Sequence, residues 1–218
     1  MNTQASQPLR LHLRPAVPGR TPAGRLIGFA LFSLTAVLTC AATVAVPALP
    51  DDPACTDQDR EFMHRANVMA AQTAAKGNSS YGAVLVKDGR ILMEFGNDAR
   101  MTGDATHHAE TGLISIASRK FGRETVAASI LYTSTEPCIM CCGAIRSAGI
   151  KKFYYGTTAI QVTRLRGGKV PDKPLQCREV FARIGSADVV IYGPLLEEEG
   201  LKVHAEAAAA AASRPPGK

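Results

Sequence analysis

Two short motifs with metal-binding side chains place the strongest constraint on how this chain folds. The first is His108-Ala109-Glu110, and the second is Pro137-Cys138-Ile139-Met140-Cys141. The spacing of Cys138 and Cys141 predicts that they lie one turn apart on one face at the start of a helix. A helix N-terminus carries partial positive charge and lowers thiol pKa values, so both cysteines can be thiolates. The fold must therefore bring His108 to this pair from another element.

Ligands of this kind are typical of a catalytic zinc site. His108, Cys138 and Cys141 would hold one Zn²⁺ per subunit and leave a fourth position for water, which a closed structural site lacks. The two motifs together match the H-x-E … P-C-x-x-C signature of zinc deaminases. Glu110 is the predicted catalytic residue, which takes a proton from the activated water and passes it to the ring nitrogen and the leaving amine. The predicted reaction is hydrolytic deamination with release of ammonia.

Neighbouring side chains offer alternatives for the metal site. His107 is a rival ligand, although the H-x-E spacing favours His108. A closed site that also uses Cys142 is disfavoured, because adjacent residues on a helix diverge by about 100°. Cys142 is instead predicted to pack as a small apolar side chain. Ile139 and Met140 are predicted to be core residues.

The first fifty residues differ in character from the rest of the chain. Residues 1–25 are rich in Pro, Arg and Gln and are predicted to be a basic, disordered leader. Residues 26–50 contain no charged side chain, and their apolar run resembles a signal peptide or a single membrane anchor. This favours export or membrane contact. The alternative is a cytoplasmic protein whose translation starts later, and zinc thiolates also survive better in a reducing compartment.

The charge distribution bears on the class of substrate. The net charge of the chain is +6, and residues 1–50 hold four arginines and no acidic residue, so residues 51–218 carry only +2. A strongly basic footprint for a phosphate backbone is therefore missing, which favours a small molecule over tRNA. Some capacity to contact phosphate remains in a set of six basic residues: Lys151, Lys152, Arg164, Arg166, Lys169 and Lys173.

Hydrophobic periodicity predicts alternating strands and helices after a linker at residues 51–55. The predicted strands are Tyr81–Lys87, Ile91–Phe95, Ser129–Thr133, Lys152–Tyr155 and Asp188–Tyr192. The predicted helices are 56–76, with a capping box from Thr56 and Asp59, then Ala109–Lys120, Cys138–Ala148, Cys177–Ile184 and Leu195–His204. Residues 98–107 and 157–174 are predicted loops. This order indicates an α/β fold, a three-layer α-β-α sandwich with a mixed five-stranded sheet.

Domain limits follow from the same pattern. Residues 56–204 form the predicted zinc-dependent deaminase domain. Residues 205–218 are a low-complexity tail with an alanine run, which is either a helix extension or disordered.

Several stretches make the chain similar to the cytidine deaminase-like superfamily. They are YGAVLVKDGRIL, FGN, DATHHAET, LYTSTEPCIMCCGAI and KKFYYG. They resemble most the branch that holds guanine deaminases, bacterial nucleoside deaminases and tRNA wobble adenosine deaminases, over about Thr56 to His204. The resemblance implies that Asn97 contacts the substrate, that the Ala109 N–H helps to hold the base, and that Glu136 and Pro137 support the ligand turn. It also implies a homodimer packed through helices near the site.

The chain departs from that branch in two ways. His107 stands where the branch has a small residue, so it is expected to shape or narrow the substrate pocket. An aromatic C-terminal lid of the guanine deaminase kind is not evident in the sequence. The favoured substrate is a nucleobase or nucleoside of purine type. The alternatives are wobble adenosine in tRNA, converted to inosine, and a non-catalytic binding protein that keeps the fold, against which the retained Glu110 and ligands argue.

Overall fold

The structure is a computed structural model that describes residues 51–213. The predicted leader, the apolar segment 26–50 and the last five residues of the tail lie outside this range. Within residues 51–213, no helix combines the length and the apolar character that a membrane crossing requires.

A five-stranded mixed sheet forms the middle layer, as the sequence predicts. Its strands are β1 (Gly82–Lys87), β2 (Arg90–Gly96), β3 (Ile130–Thr135), β4 (Lys152–Thr157) and β5 (Val190–Tyr192). Their order across the sheet is β2-β1-β3-β4-β5. Strand β1 is antiparallel to β2 and β3, whereas β3, β4 and β5 are parallel to one another. The predicted turn between β1 and β2 has Asp88 and Gly89 with φ of 50° and 71°, as a tight hairpin requires.

Eight helices surround this sheet in the described part of the chain. They are α1 (Asp57–Ala75), α2 (Ala99–Thr102), α3 (Ala109–Phe121), α4 (Arg123–Ala127), α5 (Ile139–Ala148), α6 (Ala159–Leu165), α7 (Cys177–Arg183) and α8 (Glu197–Ala212). The predicted capping box of α1 is present, with reciprocal hydrogen bonds between Thr56 and Asp59.

Alternating side chains of the strands build a separate core on each face of the sheet. Ala83 and Leu85 of β1 pack in the core with α3, α5 and α7, whereas Val84 and Val86 pack in the core with α1. Successive strand residues point to opposite faces, so each strand contributes to both cores. The result is the predicted three-layer sandwich, and it places the N-terminal ends of α3 and α5 on the same face of the sheet.

The structure corrects two details of the sequence interpretation and decides a third. The predicted loops contain the short helices α2 and α6, and Thr158 caps α6 by accepting a hydrogen bond from the Gln161 N–H. Helix α8 continues to Ala212, so the alanine run is the helix extension that was one of the two alternatives, because alanine favours helix strongly. Ile139 is not a core residue, since it is 66% exposed, and Met140 is only partly buried. Cys142 is fully buried, as predicted.

Close contact between β1 and α1 predicts a large effect of one added methyl group. A Cβ atom at Gly82 would lie 2.3 Å from the Ala66 carbonyl oxygen and 2.6 Å from the Ala70 nitrogen, and both atoms are backbone. We expect Gly82→Ala to lower the free energy of unfolding by about 1–3 kcal/mol, measured by urea denaturation.

A matched glycine provides the control for this substitution. Nothing lies within 4 Å of a Cβ atom built at Gly143 in α5. Gly143→Ala is expected to raise the free energy of unfolding by about 0.5–1 kcal/mol, because alanine loses less backbone entropy in a helix. Equal urea midpoints for Gly82→Ala and the unmodified chain would contradict the packing argument.

Candidate active site

The N-terminal ends of α3 and α5 bring the predicted metal ligands together. His108 is the N-cap residue of α3 and Cys138 is the N-cap residue of α5, both with extended backbone, and Cys141 lies in the first turn of α5. Helices α3 and α5 pack against each other on one face of the sheet. The predicted convergence of one histidine and two cysteines from different elements is therefore present.

The three ligand atoms form a nearly equilateral triangle. The distance from His108 Nδ1 to the sulfur is 3.7 Å for Cys138 and 3.6 Å for Cys141, and the two sulfur atoms are 3.6 Å apart. Tetrahedral zinc with ordinary Zn–S and Zn–N bonds sets its ligand atoms about 3.5–3.8 Å apart. Among the described residues, these three form the one group of His, Cys, Asp or Glu side chains close enough to hold a metal ion. The site fits one Zn²⁺.

The two cysteines share one proton unequally. The pKa of Cys138 is lowered to about 5, chiefly because its sulfur accepts a hydrogen bond from the Cys141 thiol. That hydrogen bond and burial raise the pKa of Cys141. A bound cation competes with that remaining proton, so metal binding at this pair releases protons and weakens at low pH.

Glu110 lies directly beside the ligand triangle. It occupies the second position of α3 and is 6% exposed. Its Oε1 accepts a hydrogen bond of 2.9 Å from the Thr133 hydroxyl, and its Oε2 lies 3.4 Å from the Cys141 sulfur. Burial raises the pKa of the Glu110 carboxyl above its usual value, although its hydrogen bonds act in the opposite direction. A carboxyl group in this environment is suited to carry a proton during a reaction.

A cavity of about 400 Å³ opens onto the ligand triangle. The ligands, Glu110, Asn97 and Glu136 all line it. Asn97 is 4% exposed, and its Oδ1 accepts a hydrogen bond from the Ala99 N–H. The structure therefore places the predicted substrate residue Asn97 in the same cavity as the predicted catalytic residue.

Other predicted site residues lie around this cavity without lining it. Ala109 and Pro137 are buried beside the ligands. Ala109 is the first residue of α3, so its N–H belongs to the turn whose donors have no acceptor within the helix. His107 lies away from the ligand triangle, where its ring bonds to the Asp98 carboxylate and contacts Phe95 edge-on.

Glu136 connects the ligand turn to two helices. Its Oε2 accepts from the Ala159 N–H of α6 at 3.1 Å, and its Oε1 accepts from the Cys177 N–H of α7 at 2.8 Å. The Glu136 N–H in turn donates to the Thr157 carbonyl at 2.8 Å. These bonds hold the segment before Cys138 against the elements that follow β4.

Several residues of the cavity wall were not identified as site residues from the sequence. They are Ser79, Tyr81, Ala99, Thr135, Ala159, Val162, Thr163 and Arg166. Three of them lie on α6, within the predicted loop at residues 157–174, and Arg166 follows this helix directly. Thr158, a residue type that caps helices, was the available signal for α6 in the sequence.

The sequence is similar to those of known zinc-binding deaminases, in agreement with the ligand geometry of the site. The family described as the zinc-binding region of cytidine and deoxycytidylate deaminases matches residues 56–157. A tRNA-specific adenosine deaminase of Agrobacterium fabrum is 41% identical over 95 residues, which cover 44% of this chain and 62% of that protein. A guanine deaminase of Bacillus subtilis is 41% identical over 95 residues, which cover 43% of this chain and 61% of that protein. The chain thus spans less than two thirds of the length of these two relatives.

Solved structures show the same fold. The structure of a guanine deaminase from Nitrosomonas europaea has a TM-score of 0.59 at 18% identity, over 76% of this chain and 87% of that chain. The overall fold is therefore shared with that protein.

Proposed function

Because the chain belongs to the cytidine deaminase-like superfamily, we propose that it is a zinc-dependent hydrolase that deaminates a nucleobase or nucleoside. A purine-type substrate is favoured, and ammonia is the second product. One observation carries this proposal. The triangle of His108, Cys138 and Cys141 shares one cavity with the buried Glu110 carboxyl, whose oxygen lies 3.4 Å from a ligand sulfur.

The residues of the site have different roles in the proposed reaction. When bound by its three ligands, zinc supplies the Lewis acidity that activates water for attack on the amino-bearing carbon. Glu110 would accept one proton of the attacking water at its carboxylate and pass it to the ring nitrogen. It would then accept the second proton of that water and pass it to the amino group, which departs as ammonia. The Thr133 hydroxyl holds Glu110 Oε1 in place at 2.9 Å. Burial raises the pKa of the Glu110 carboxyl, which favours proton uptake at this position.

Asn97 is suited to orient the base in this cavity. Its Oδ1 accepts the Ala99 N–H, which leaves the amide nitrogen as a donor for the substrate. The first-turn N–H of Ala109 supplies a second donor beside the ligand His108. Two fixed donors would set the ring so that its amino group faces the metal ligands and Glu110.

Two observations bear on the size of the substrate. The charge of +2 on residues 51–218 is low for a protein that binds a phosphate backbone. Two equally similar relatives are named for different substrates, one for adenosine in tRNA and the other for guanine. We therefore favour a free base or nucleoside and keep wobble adenosine of tRNA as the second candidate.

A substrate screen tests the proposal. We expect the zinc-loaded full-length protein to release ammonia from at least one of guanine, guanosine, adenine, adenosine and cytosine. Inosine formation in tRNA treated with the protein, without turnover of any free base or nucleoside, would move the assignment to the second candidate. Zinc binding without turnover of any of these substrates would favour a binding protein that keeps the fold.

Two further properties belong to this proposal. We propose a homodimer packed through the helices near the site, and light scattering coupled to size-exclusion chromatography would detect it. We also propose that residues 26–50 direct export or membrane contact. Fractionation of cells that express the full chain should then recover it processed or with membranes, and an unprocessed cytoplasmic protein would contradict this.

A further inference from the structure

Arg166 places a positive charge in the wall of the cavity that holds the zinc ligands. It directly follows α6 and lies beyond residues 56–157, which the family shares. The catalytic motifs lie within that shared part. Arg166 therefore belongs to the part of the cavity in which the substrate preference of this chain can differ from those of its relatives.

The contacts of Arg166 leave its charge without an acidic partner. Nη1 donates to the Tyr81 hydroxyl at 2.9 Å, and Nη2 lies 3.3 Å from Ser80 Oγ and 3.2 Å from His204 Nδ1. The guanidinium carbon also lies 5.4 Å from the centre of the Tyr81 ring. Within residues 51–213, no carboxylate forms an ion pair with Arg166. Its described partners are all neutral.

His204 of α8 holds this guanidinium from behind the cavity wall. It is 2% exposed, and its Nε2 lies 2.8 Å from Thr135 Oγ1. Its Nδ1 faces two donors, the Ser80 hydroxyl at 2.8 Å and Arg166 Nη2 at 3.2 Å. Because arginine cannot accept, Nδ1 is the acceptor, and the ring proton sits on Nε2 and is donated to Thr135. Burial, and then the charge of Arg166, lower the pKa of His204 to about 3, so the ring remains a neutral acceptor.

Part of the guanidinium remains available to a ligand. An arginine side chain has five N–H donors. At most three are used by Tyr81, Ser80 and His204, so Nε–H and one Nη1 hydrogen have no acceptor among the described residues. Arg166 is exposed, and a guanidinium that neutral acceptors hold on one side keeps its free donors for oxygen acceptors with full or partial negative charge.

We propose that Arg166 is a specificity-determining residue, which binds an oxygen acceptor of the substrate, either a ring carbonyl or a phosphate, with His204 as its positioning residue. The inference rests on the proposed function of the same cavity. It implies that oxo-substituted bases or nucleoside monophosphates are preferred over adenine, which carries no oxygen. A ring carbonyl and a phosphate present the same chemistry to Arg166, so the experiment must separate them.

Binding to a full-length, zinc-loaded chain that carries Glu110→Gln tests this proposal without turnover. The probes are guanine, adenine, guanosine monophosphate and adenosine monophosphate, and calorimetry measures their dissociation constants. We expect Arg166→Met to weaken an oxygen-bearing probe by about 10- to 100-fold and adenine by less than about threefold. Arg166→Lys, which keeps the charge but not the fork of donors, should lie between these values.

The pattern across the probes identifies the acceptor. Weakening of guanine and guanosine monophosphate, with adenine and adenosine monophosphate unchanged, indicates a ring carbonyl. Weakening of the two monophosphates with guanine unchanged indicates a phosphate. Three results would overturn the proposal. The first is equal weakening of adenine and guanine without a separate effect on the monophosphates. The second is no weakening of any probe, and the third is no binding of any probe to the parent chain. Lys202→Met removes an exposed cation of α8 and should change none of the constants.

His204 variants separate positioning from a structural role. His204→Phe removes both ring nitrogens and should lose most of the discrimination between guanine or the monophosphates and adenine, whereas His204→Gln keeps an acceptor and should retain part of it. Loss of thermal stability with unchanged discrimination would show a structural role only and overturn the positioning role.

The turnover measurements remain independent of these constants. If the discrimination depends on Arg166 but the active chain releases no ammonia from any probe or from any compound of the substrate screen, the proposed function fails and the role of Arg166 stands. If ammonia is released and Arg166→Met leaves the discrimination intact, the role of Arg166 fails and the proposed function stands.

Discussion

Replacement of Glu110 by glutamine is expected to lower kcat by about 10²- to 10⁴-fold on the substrate that the screen identifies, with zinc still bound. Glutamine keeps the size of the side chain but cannot accept and return a proton. Glu110 is buried at the ligand triangle and is held by Thr133, so an external base cannot easily take its place. The measurements are the rate of ammonia release and the zinc content per subunit by mass spectrometry of the metal.

The stability of the same variant offers a second check. Burial disfavours the charged form of Glu110, as its raised pKa shows. We expect Glu110→Gln to keep or raise the melting temperature, because residues needed for reaction often cost stability. Glu198→Gln, at an exposed position of α8, is the control and should change neither rate nor zinc content. A Glu110→Gln variant with an undiminished rate would show that the proposed proton carrier is wrong.

The second large effect is expected from removal of one metal ligand. Cys141→Ala should abolish activity and leave less than about a tenth of a zinc ion per subunit after dialysis against a weak chelator, since two remaining ligands hold zinc poorly. The melting temperature should then no longer respond to added zinc, because only a folded state that binds the ion is stabilised by it. Zinc titration followed by thermal unfolding measures this.

The adjacent cysteine is a close control for that experiment. Cys142 is fully buried in the core beside α3, and its sulfur lies 3.5 Å from the Pro137 carbonyl oxygen instead of at the ligand triangle. Burial raises the pKa of its thiol to about 12, so it remains protonated. Cys142→Ala should retain zinc and activity within about twofold and lose only about 1 kcal/mol of stability. Equal zinc loss in both variants would contradict the assigned ligand set.

The ligand set could be predicted from the sequence because metal coordination requires specific side chains at fixed local spacing. Cys138 and Cys141 lie within one helical turn, and His108 and Glu110 lie within another. The hairpin was equally local, since Asp88 and Gly89 adopt the positive φ angles that their residue types permit. The strand at 82–87 was local as well, since its run of apolar residues suits a strand that is buried on both faces.

Other features of the site depended on distant parts of the chain. His107 was expected to shape the pocket, but its ring bonds to Asp98, and the residues that line the cavity do not include it. Ile139 was expected in the core from its apolar character, yet its position at the start of α5 leaves it 66% exposed. The burial of a side chain at a helix end depends on which other elements pack against it, and the local sequence does not contain that information.

The sequence by itself determined which side chains form the metal site, whereas the tertiary structure decided which residues line the cavity around them. Two motifs contain the metal ligands and the proposed proton carrier, because those residues act through short-range geometry. Arg166 fell in the predicted loop at residues 157–174, and His204 fell at the end of the last predicted helix. Only the packing of α8 against the sheet and α6 places His204 behind Arg166 and turns that arginine into a wall of the cavity, since contacts between residues so far apart in the chain leave no local pattern.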